Sequence, residues 1–364
     1  MRSLFSILEK HSKNNIIFFS FFVHFSFFSR TFALSICFYR MLQAEEAQTL
    51  INHRLNALCY PLAPNGLYEP IKYVLGLGGK RIRPVFALLA CNLFSDEVKT
   101  AIEPALGLEI FHNFTLLHDD IMDKAEIRRG QVTVHKKWCD NVAILSGDAM
   151  QIDAYRHIGH SPEAQLKQIF DLFSQTAMEV CEGQQYDMDF EHRDDVTLDD
   201  YIEMIRLKTA VLLACSLKIG AWIGGATEKD AQLLYDFGIN LGLAFQLQDD
   251  LLDVFGDADK FGKNIGGDIL CNKKTFLLIS ALKLAKGETK TELTHWLTTN
   301  SASHSDKIAA VTRIYNELNV KSLCQKEMEN YYHKAFAAFN SLSCAKSRTN
   351  IICQYANDLL CRES

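Results

Sequence analysis

Proline is scarce and unevenly placed: six in 364 residues, the last of them Pro162, so the 202 residues that follow contain none. Proline breaks helices, and that half of the chain is free of such breaks. Strand signals, meaning short β-branched runs bounded by turn pairs, are almost absent. The eleven cysteines (37, 59, 91, 139, 181, 215, 271, 324, 344, 353 and 361) are odd in number and include no CxxC. That pattern suggests neither a disulfide framework nor a zinc site. Buried reduced thiols in a cytoplasmic protein are the expectation, as for Cys215 in TAVLLACSLKIGAW. No Ser/Gly/Pro-rich linker and no internal repeat of 20–50 residues is present, so one large body is expected. With 48% hydrophobic and 23% charged residues, a disordered chain, a collagen-like repeat and a polytopic membrane protein are excluded.

What is present is unevenly spread. Ten of the 24 phenylalanines lie in residues 1–40, with Arg2, Lys10, Lys13, Arg30 and Arg40 against Glu9 alone. This segment is therefore +4 and residues 41–364 carry −10. A body so acidic excludes nonspecific nucleic-acid binding, which needs a basic face. The apolar run IIFFSFFVHFSFFS is cut off by Arg30, whereas a spanning helix needs about 20 apolar residues without a central charge. It lacks a small-residue cleavage site. The expectation is a hydrophobic extension outside the catalytic fold, with Met41 as the natural start. MLQAEEAQTLINHRLNAL begins an ordinary amphipathic helix, and no stable membrane insertion of the body is expected.

Helical periodicity runs through 163–182, 198–222, 228–256, 273–286, 305–319 and 322–341. The fold class is all-α, a single large helical bundle of ten or more helices.

Two acidic patterns stand out inside apolar helices. Asp119, Asp120 and Asp123 lie in FHNFTLLHDDIMD, and Asp249, Asp250 and Asp253 in LGLAFQLQDDLLDVF. Helical positions i and i+4 share a face, so like charges there repel, and apolar surroundings add a large desolvation cost. A cation must compensate. Carboxylates select hard ions, and Mg²⁺ takes one or two of them, completing its shell with water and substrate phosphate. The sequence contains its own control: Asp195 and Asp199 in HRDDVTLDDY share the spacing, but polar flanks make them a solvated helix start with Thr197 or Asp199 as N-cap.

Cations accompany the two faces. Lys80, Arg81 and Arg83 follow a glycine pair and precede the helix VFALLACNLF, a ready phosphate site at a helix N-terminus. Arg forks grip phosphate oxygens bidentately and Lys adds a point charge. Arg128 and Arg129 follow the first aspartates by five residues. Lys208-Thr209 interrupts an apolar helix, where an unpaired cation is costly; Lys263 and Lys273 follow the second cluster. The sum describes a pocket for two diphosphate groups, at least one bridged by Mg²⁺.

GGKRIRP, LLHDDIMD with IRRG, GQQYDMDFE, Lys208-Thr209 and FQLQDDLLDVFGD, in that order, resemble the trans-isoprenyl diphosphate synthases over about residues 42–364. The resemblance implies a bundle around a deep central cavity, usually a homodimer, and magnesium, three ions per site with substrate bound. It implies that Asp119, Asp123 and Asp249 bind metal, supported by Asp120, Asp250 and Asp253. Lys80, Arg83, His112 and Arg129 would hold isopentenyl diphosphate. Arg128, Lys208, Thr209, Gln246, Lys263 and Lys273 would hold the allylic diphosphate (dimethylallyl, geranyl or farnesyl), with Arg128 and Lys208 also serving ionisation. Allylic C–O cleavage, attack by the isopentenyl double bond and proton loss to the released diphosphate would follow. Phe114 and Thr115, five and four residues before Asp119, would form a floor to the chain cavity. By the family's pattern they favour a short product, geranylgeranyl ahead of farnesyl diphosphate.

Three other readings are open. A class I terpene cyclase shares one Asp-rich motif but needs no GGKRIRP. A di-iron carboxylate bundle would use the ExxH pairs Glu109/His112 and Glu292/His295, although GETKTELTHWLTTN looks too polar to bury a helix face. A non-catalytic partner subunit would have lost metal or substrate residues, and none of the matched positions is missing.

Overall fold

The computed structural model describes residues 41–256, 266–299 and 303–360. The Phe-rich extension and Lys263 lie outside the described residues. The first half builds α1 (Ala44–Asn56), α2 (Asn65–Gly76), α3 (Ile82–Phe94) and α4 (Ile102–Met122), then a short hairpin, β1 (Ile127–Arg128) and β2 (Gln131–Val132). After α5 (Val134–Lys137) come the long α6 (Asp140–Ile158) and α7 (Glu163–Glu191), then α8 (Leu198–Ile205) and α9 (Val211–Ile223), joined by a π-turn over Arg206–Ala210. The second half continues with α10 (Glu228–Phe255), α11 (Gly267–Leu270), α12 (Phe276–Leu284) and α13 (Gly287–Thr298). It closes with α14 (His304–Glu317), α15 (Val320–Asn340) and α16 (Lys346–Leu360).

Local chemistry sets several boundaries. The control acidic cluster is a helix start: Thr197 Oγ1 accepts from the Asp200 N–H at 3.1 Å while the Asp200 carboxylate accepts from the Thr197 N–H, a reciprocal capping box. Thr227 opens α10 in a similar way with Asp230. α3 and α9 are apolar almost all round, and both are buried along most of their length, as the pattern requires. α3 lies against α9, α9 against α10, α4 against α6, and α10 against α15. One apolar core gathers α1 to α4, α6 and α9; a second gathers α8, the end of α10, and α12, α14 and α15.

Residues 287–298 depart from expectation. The polar stretch is a helix, because one fully buried residue, Leu293, anchors it and Trp296 and Leu297 pack beside the second core. Its other side chains face water, so apolar periodicity was too sparse to reveal it. At the C-terminus, the buried Asp230 carboxylate accepts from the Ser343 N–H at 2.8 Å and the Ser343 hydroxyl at 2.6 Å. Arg348 bonds the Asn92 carbonyl at 2.9 Å and Asp96 at 2.6 Å, which lays α16 on α3.

Candidate active site

The last turns of α4 and α10 face one another across a cavity of about 540 Å³. Asp119 and Asp123 line it from one side, and Asp249, Asp250 and Asp253 from the other. Both clusters occupy the C-terminal end of their helix, where the backbone dipole favours cations over carboxylates. Burial pushes the Asp123 carboxyl up, and Asp119 beside it adds to the effect. The demand for positive charge inferred from the apolar flanks is therefore reinforced by where each helix stops.

Side chains already meet part of that demand. Lys208 Nζ lies 3.1 Å from Asp119 Oδ1 and 2.6 Å from Asp187 Oδ2, and Lys273 Nζ is 3.8 Å from the same Asp187 oxygen. Burial works to raise the Asp187 carboxyl, but Lys273 and Lys208 outweigh it and hold it below the usual range. Lys208 is placed by the π-turn, a distortion frequent at functional sites. Gly183 of α7 allows it: a Cβ there would lie 2.3 Å from the Lys208 backbone nitrogen. Thr209 donates to Gln246 at 3.1 Å, Gln246 donates to Asp250 at 3.1 Å, and the buried Tyr201 hydroxyl donates to Asp250 at 2.5 Å. Burial, with Asp268 nearby, raises the Asp250 carboxyl against those hydrogen bonds.

Asp120 is held by an arginine. It is buried, does not line the cavity, and accepts from Arg128 Nε at 2.8 Å and Nη2 at 2.5 Å. Arg128, thus fixed, reaches the cavity wall and lies 3.5 Å from Asp119.

A second, open pocket of about 380 Å³ adjoins the first, lined by Gly79, Lys80, Arg81, Arg83 and Arg129. Gly78 and Gly79 turn the chain into it at φ +77° and +129°, values that favour glycine. Arg83 lines both pockets; its Nε is buried without a protein partner, and burial pushes its guanidinium down to about 10. Burial, then Arg83 and Arg129, push the His112 imidazole well below its usual value. His112 lies near these arginines but lines neither pocket.

Phe114 and Thr115 both line the large cavity, and the Phe114 ring is wedged between Phe111 at 5.4 Å and His118 at 4.8 Å. The two ExxH pairs do not converge: Glu109 is paired with Arg81, and Glu292 with Arg313 on the surface. Among the described residues no group of three His, Cys, Asp or Glu side chains surrounds one point. Asp187, Asp268, Tyr201 and Lys274 also line the cavity and were not singled out from sequence. Asp187 was within sight, since GQQYDMDFE places it four residues beyond Gly183 on α7.

An all-α bundle with opposed aspartate faces over one cavity and an arginine pocket beside it defines an isoprenoid synthase. The comparisons with known proteins agree. The polyprenyl synthetase family model matches residues 64–315. Geranylgeranyl pyrophosphate synthase of Geoglobus acetivorans is 41% identical over 64% of this chain and 74% of its own. Geranylfarnesyl diphosphate synthase of Natronomonas pharaonis is 36% identical over 65% and 74%. A crystal structure of a geranylgeranyl pyrophosphate synthase superposes with a TM-score of 0.84 at 43% identity, covering 88% of this chain and 99% of the other. The chain belongs to the polyprenyl synthetase family and is a trans-prenyltransferase.

Proposed function

We propose that the protein condenses isopentenyl diphosphate with allylic diphosphates and releases a geranylgeranyl diphosphate, with farnesyl diphosphate as the shorter alternative. The observation that carries this reading is the pair of adjoining pockets sharing Arg83, one with carboxylates and lysines, the other with Lys80 and arginines. An allylic diphosphate fits the first, its chain running towards Phe114; isopentenyl diphosphate fits the second.

The carboxylates of Asp119, Asp123 and Asp249, with Asp253 and Asp250 behind them, would hold Mg²⁺, which when bound supplies Lewis-acid stabilisation of the leaving diphosphate. Lys208, Lys273 and Arg128 stand where charge grows as the allylic C–O bond breaks, and fixed cations there stabilise the transition state. Thr209 and Gln246 orient the same group. Lys80, Arg83 and Arg129 fix the second substrate so that its double bond meets the cation, a gain from positioning. The wall from Phe114 to Val180, Met204 and Ile205 keeps water from quenching that cation. No side-chain nucleophile is required, and the departing diphosphate can take the proton.

The catalytic domain in this reading is residues 41–364, and it works as a homodimer. Ile144, Leu145 and Ile152 of α6 and Phe170 and Met178 of α7 are large apolar side chains left exposed on consecutive helices, a surface suited to a second copy. No described helix is long and apolar enough to cross a membrane. The described cysteines are all free thiols, which fits a cytoplasmic enzyme. Incubation with dimethylallyl and isopentenyl diphosphates, followed by mass spectrometry of the product, tests the function: a C20 diphosphate is expected. Hydrocarbon formed from allylic substrate alone would overturn it in favour of a cyclase.

A further inference from the structure

Glu109 has no part in the chemistry above, yet its carboxylate is among the most deeply buried charges of the described residues. It sits on α4, ten residues before Asp119, about 15 Å along the helix that carries the first aspartate face. Arg81 Nη1 donates to Glu109 Oε1 at 2.7 Å, and both side chains are almost fully enclosed. Arg81 also reaches the Leu75 carbonyl at 2.7 Å and Asn52 at 3.0 Å, so it ties together α1, the end of α2 and the start of α3. Its own backbone is left-handed, φ 52°, a conformation that a non-glycine residue keeps only when its surroundings enforce it. Asn113, one turn along α4, donates to Glu109 Oε1 at 3.0 Å and to the Glu109 carbonyl at 2.8 Å. The Asn113 oxygen in turn accepts from Arg129 Nη1 at 3.4 Å, and that same nitrogen donates to the Gly78 carbonyl. Glu109 also attracts Arg83 and Arg129 through space.

The network thus runs from one buried carboxylate to both sides of the basic pocket: directly to Arg81, the chain neighbour of Lys80, and through Asn113 to Arg129 of the hairpin, which reaches the Gly78 carbonyl. Crowded guanidinium groups repel one another. Without a central anion they would splay into solvent rather than converge on a ligand.

We propose that Glu109 is a positioning residue for the acceptor substrate, the anionic template that holds Arg81, Arg129 and the Gly78–Lys80 turn in the shape that receives isopentenyl diphosphate. This rests on the assignment of that pocket given above. It makes a prediction opposite in sign to bulk electrostatics. Removing a negative charge beside an anion site should tighten binding if the charge acts only through its field; it should weaken binding if the charge holds the arginines in place.

Steady-state kinetics with each substrate varied separately decide between these. Glu109→Gln keeps the shape of the side chain and removes its charge. The expected result is a rise of about tenfold in KM for isopentenyl diphosphate, with KM for the allylic diphosphate within about twofold of wild type. Arg129→Gln serves as the control for the pocket and should raise the same KM. If Arg129→Gln raises it while Glu109→Gln leaves it unchanged or lowers it, the template role is wrong and the pocket stands. If Arg129→Gln instead leaves that KM unaltered, the pocket assignment fails and the template role with it. A purely structural contribution from Glu109 would lower Tm and active fraction without separating the two KM values, which also counts against the proposal. Should Glu109→Gln not fold, Asn113→Ala cuts the same network at its next link. A selective rise of about threefold in KM for isopentenyl diphosphate supports the template, and no selective change overturns it.

Discussion

The two pockets differ in their balance of charge. In the large cavity, carboxylates outnumber the cations, and two of the lysines are already engaged with them: Lys208 with Asp119 and Asp187, Lys273 with Asp187. Such a site would repel a diphosphate until further positive charge arrives, so in the proposed reading binding there is conditional on metal. In the small pocket the balance is reversed, with Lys80 and three arginines around one buried carboxylate, Glu109. That site is ready for an anion without metal. The difference suits the chemistry. In the proposed reading, the substrate that must lose its diphosphate would sit where metal can neutralise the leaving group, and the one that keeps its diphosphate would be gripped by side chains.

The largest effect should follow from breaking the metal side alone. Asp119→Ala removes a carboxylate at the cavity and one partner of Lys208, and kcat should fall by roughly a thousandfold or more, with the circular dichroism spectrum retained. Chelation with EDTA should abolish turnover of wild type and excess Mg²⁺ restore it, while thermal stabilisation by isopentenyl diphosphate should survive the chelator. Retained activity of Asp119→Ala would remove the basis for a metal-dependent cavity. Next in size, Lys208→Ala should lower kcat by about a hundredfold, since a fixed cation at the leaving group acts mainly in the transition state. Arg129→Gln should instead act mainly on KM for isopentenyl diphosphate. Equal splits of kcat and KM in these two variants would dissolve the contrast between the pockets.

A smaller effect tests the floor of the cavity. Phe114 is fixed by Phe111 and His118, and Phe114→Ala opens space about one helical turn, ~5.4 Å, below the aspartates. Products longer by one or more five-carbon units should appear at similar total turnover, read by mass spectrometry. An unchanged product distribution would make Phe114 ordinary core.

Much of this was legible from sequence because it depends on local pattern. Apolar periodicity located α7 to α10, α14 and α15 to within a few residues, although α7 runs on to Glu191 through the polar GQQYDMDFE. The aspartate faces were legible because their apolar flanks are written beside them. What could not be read depends on contacts across the chain. Asp120 carries the same spacing as its neighbours, but the hairpin brings Arg128 back to it. Arg81 looks like one more cation of GGKRIRP until Glu109 meets it 28 residues later. The π-turn at Lys208 depends on Gly183, on a different helix. The helix at 287–298 hangs on Leu293, too slight a signal for any periodicity.

The smallest effect on activity is expected far from both pockets, at Asp230. Its carboxylate takes hydrogen bonds from the Ser343 N–H, the Ser343 hydroxyl and the Thr227 hydroxyl, and so pins the segment leading to α16 onto the start of α10. Asp230→Ala removes the charged acceptor of all three hydrogen bonds, for which a loss of about 1.5–3 kcal/mol is the usual scale. Tm should fall by about 2–4 °C, at roughly 1.3 °C per kcal/mol for a chain of this size, while kcat and both KM values stay within about twofold. One route to the basic pocket runs through α16, whose Tyr355 ring packs on Phe86 and whose hydroxyl approaches the Lys80 carbonyl at 3.5 Å. A selective rise in KM for isopentenyl diphosphate in Asp230→Ala would therefore show that the C-terminal helix helps to shape the basic pocket, and the two pockets would differ in dependence on the chain's end as well as in charge.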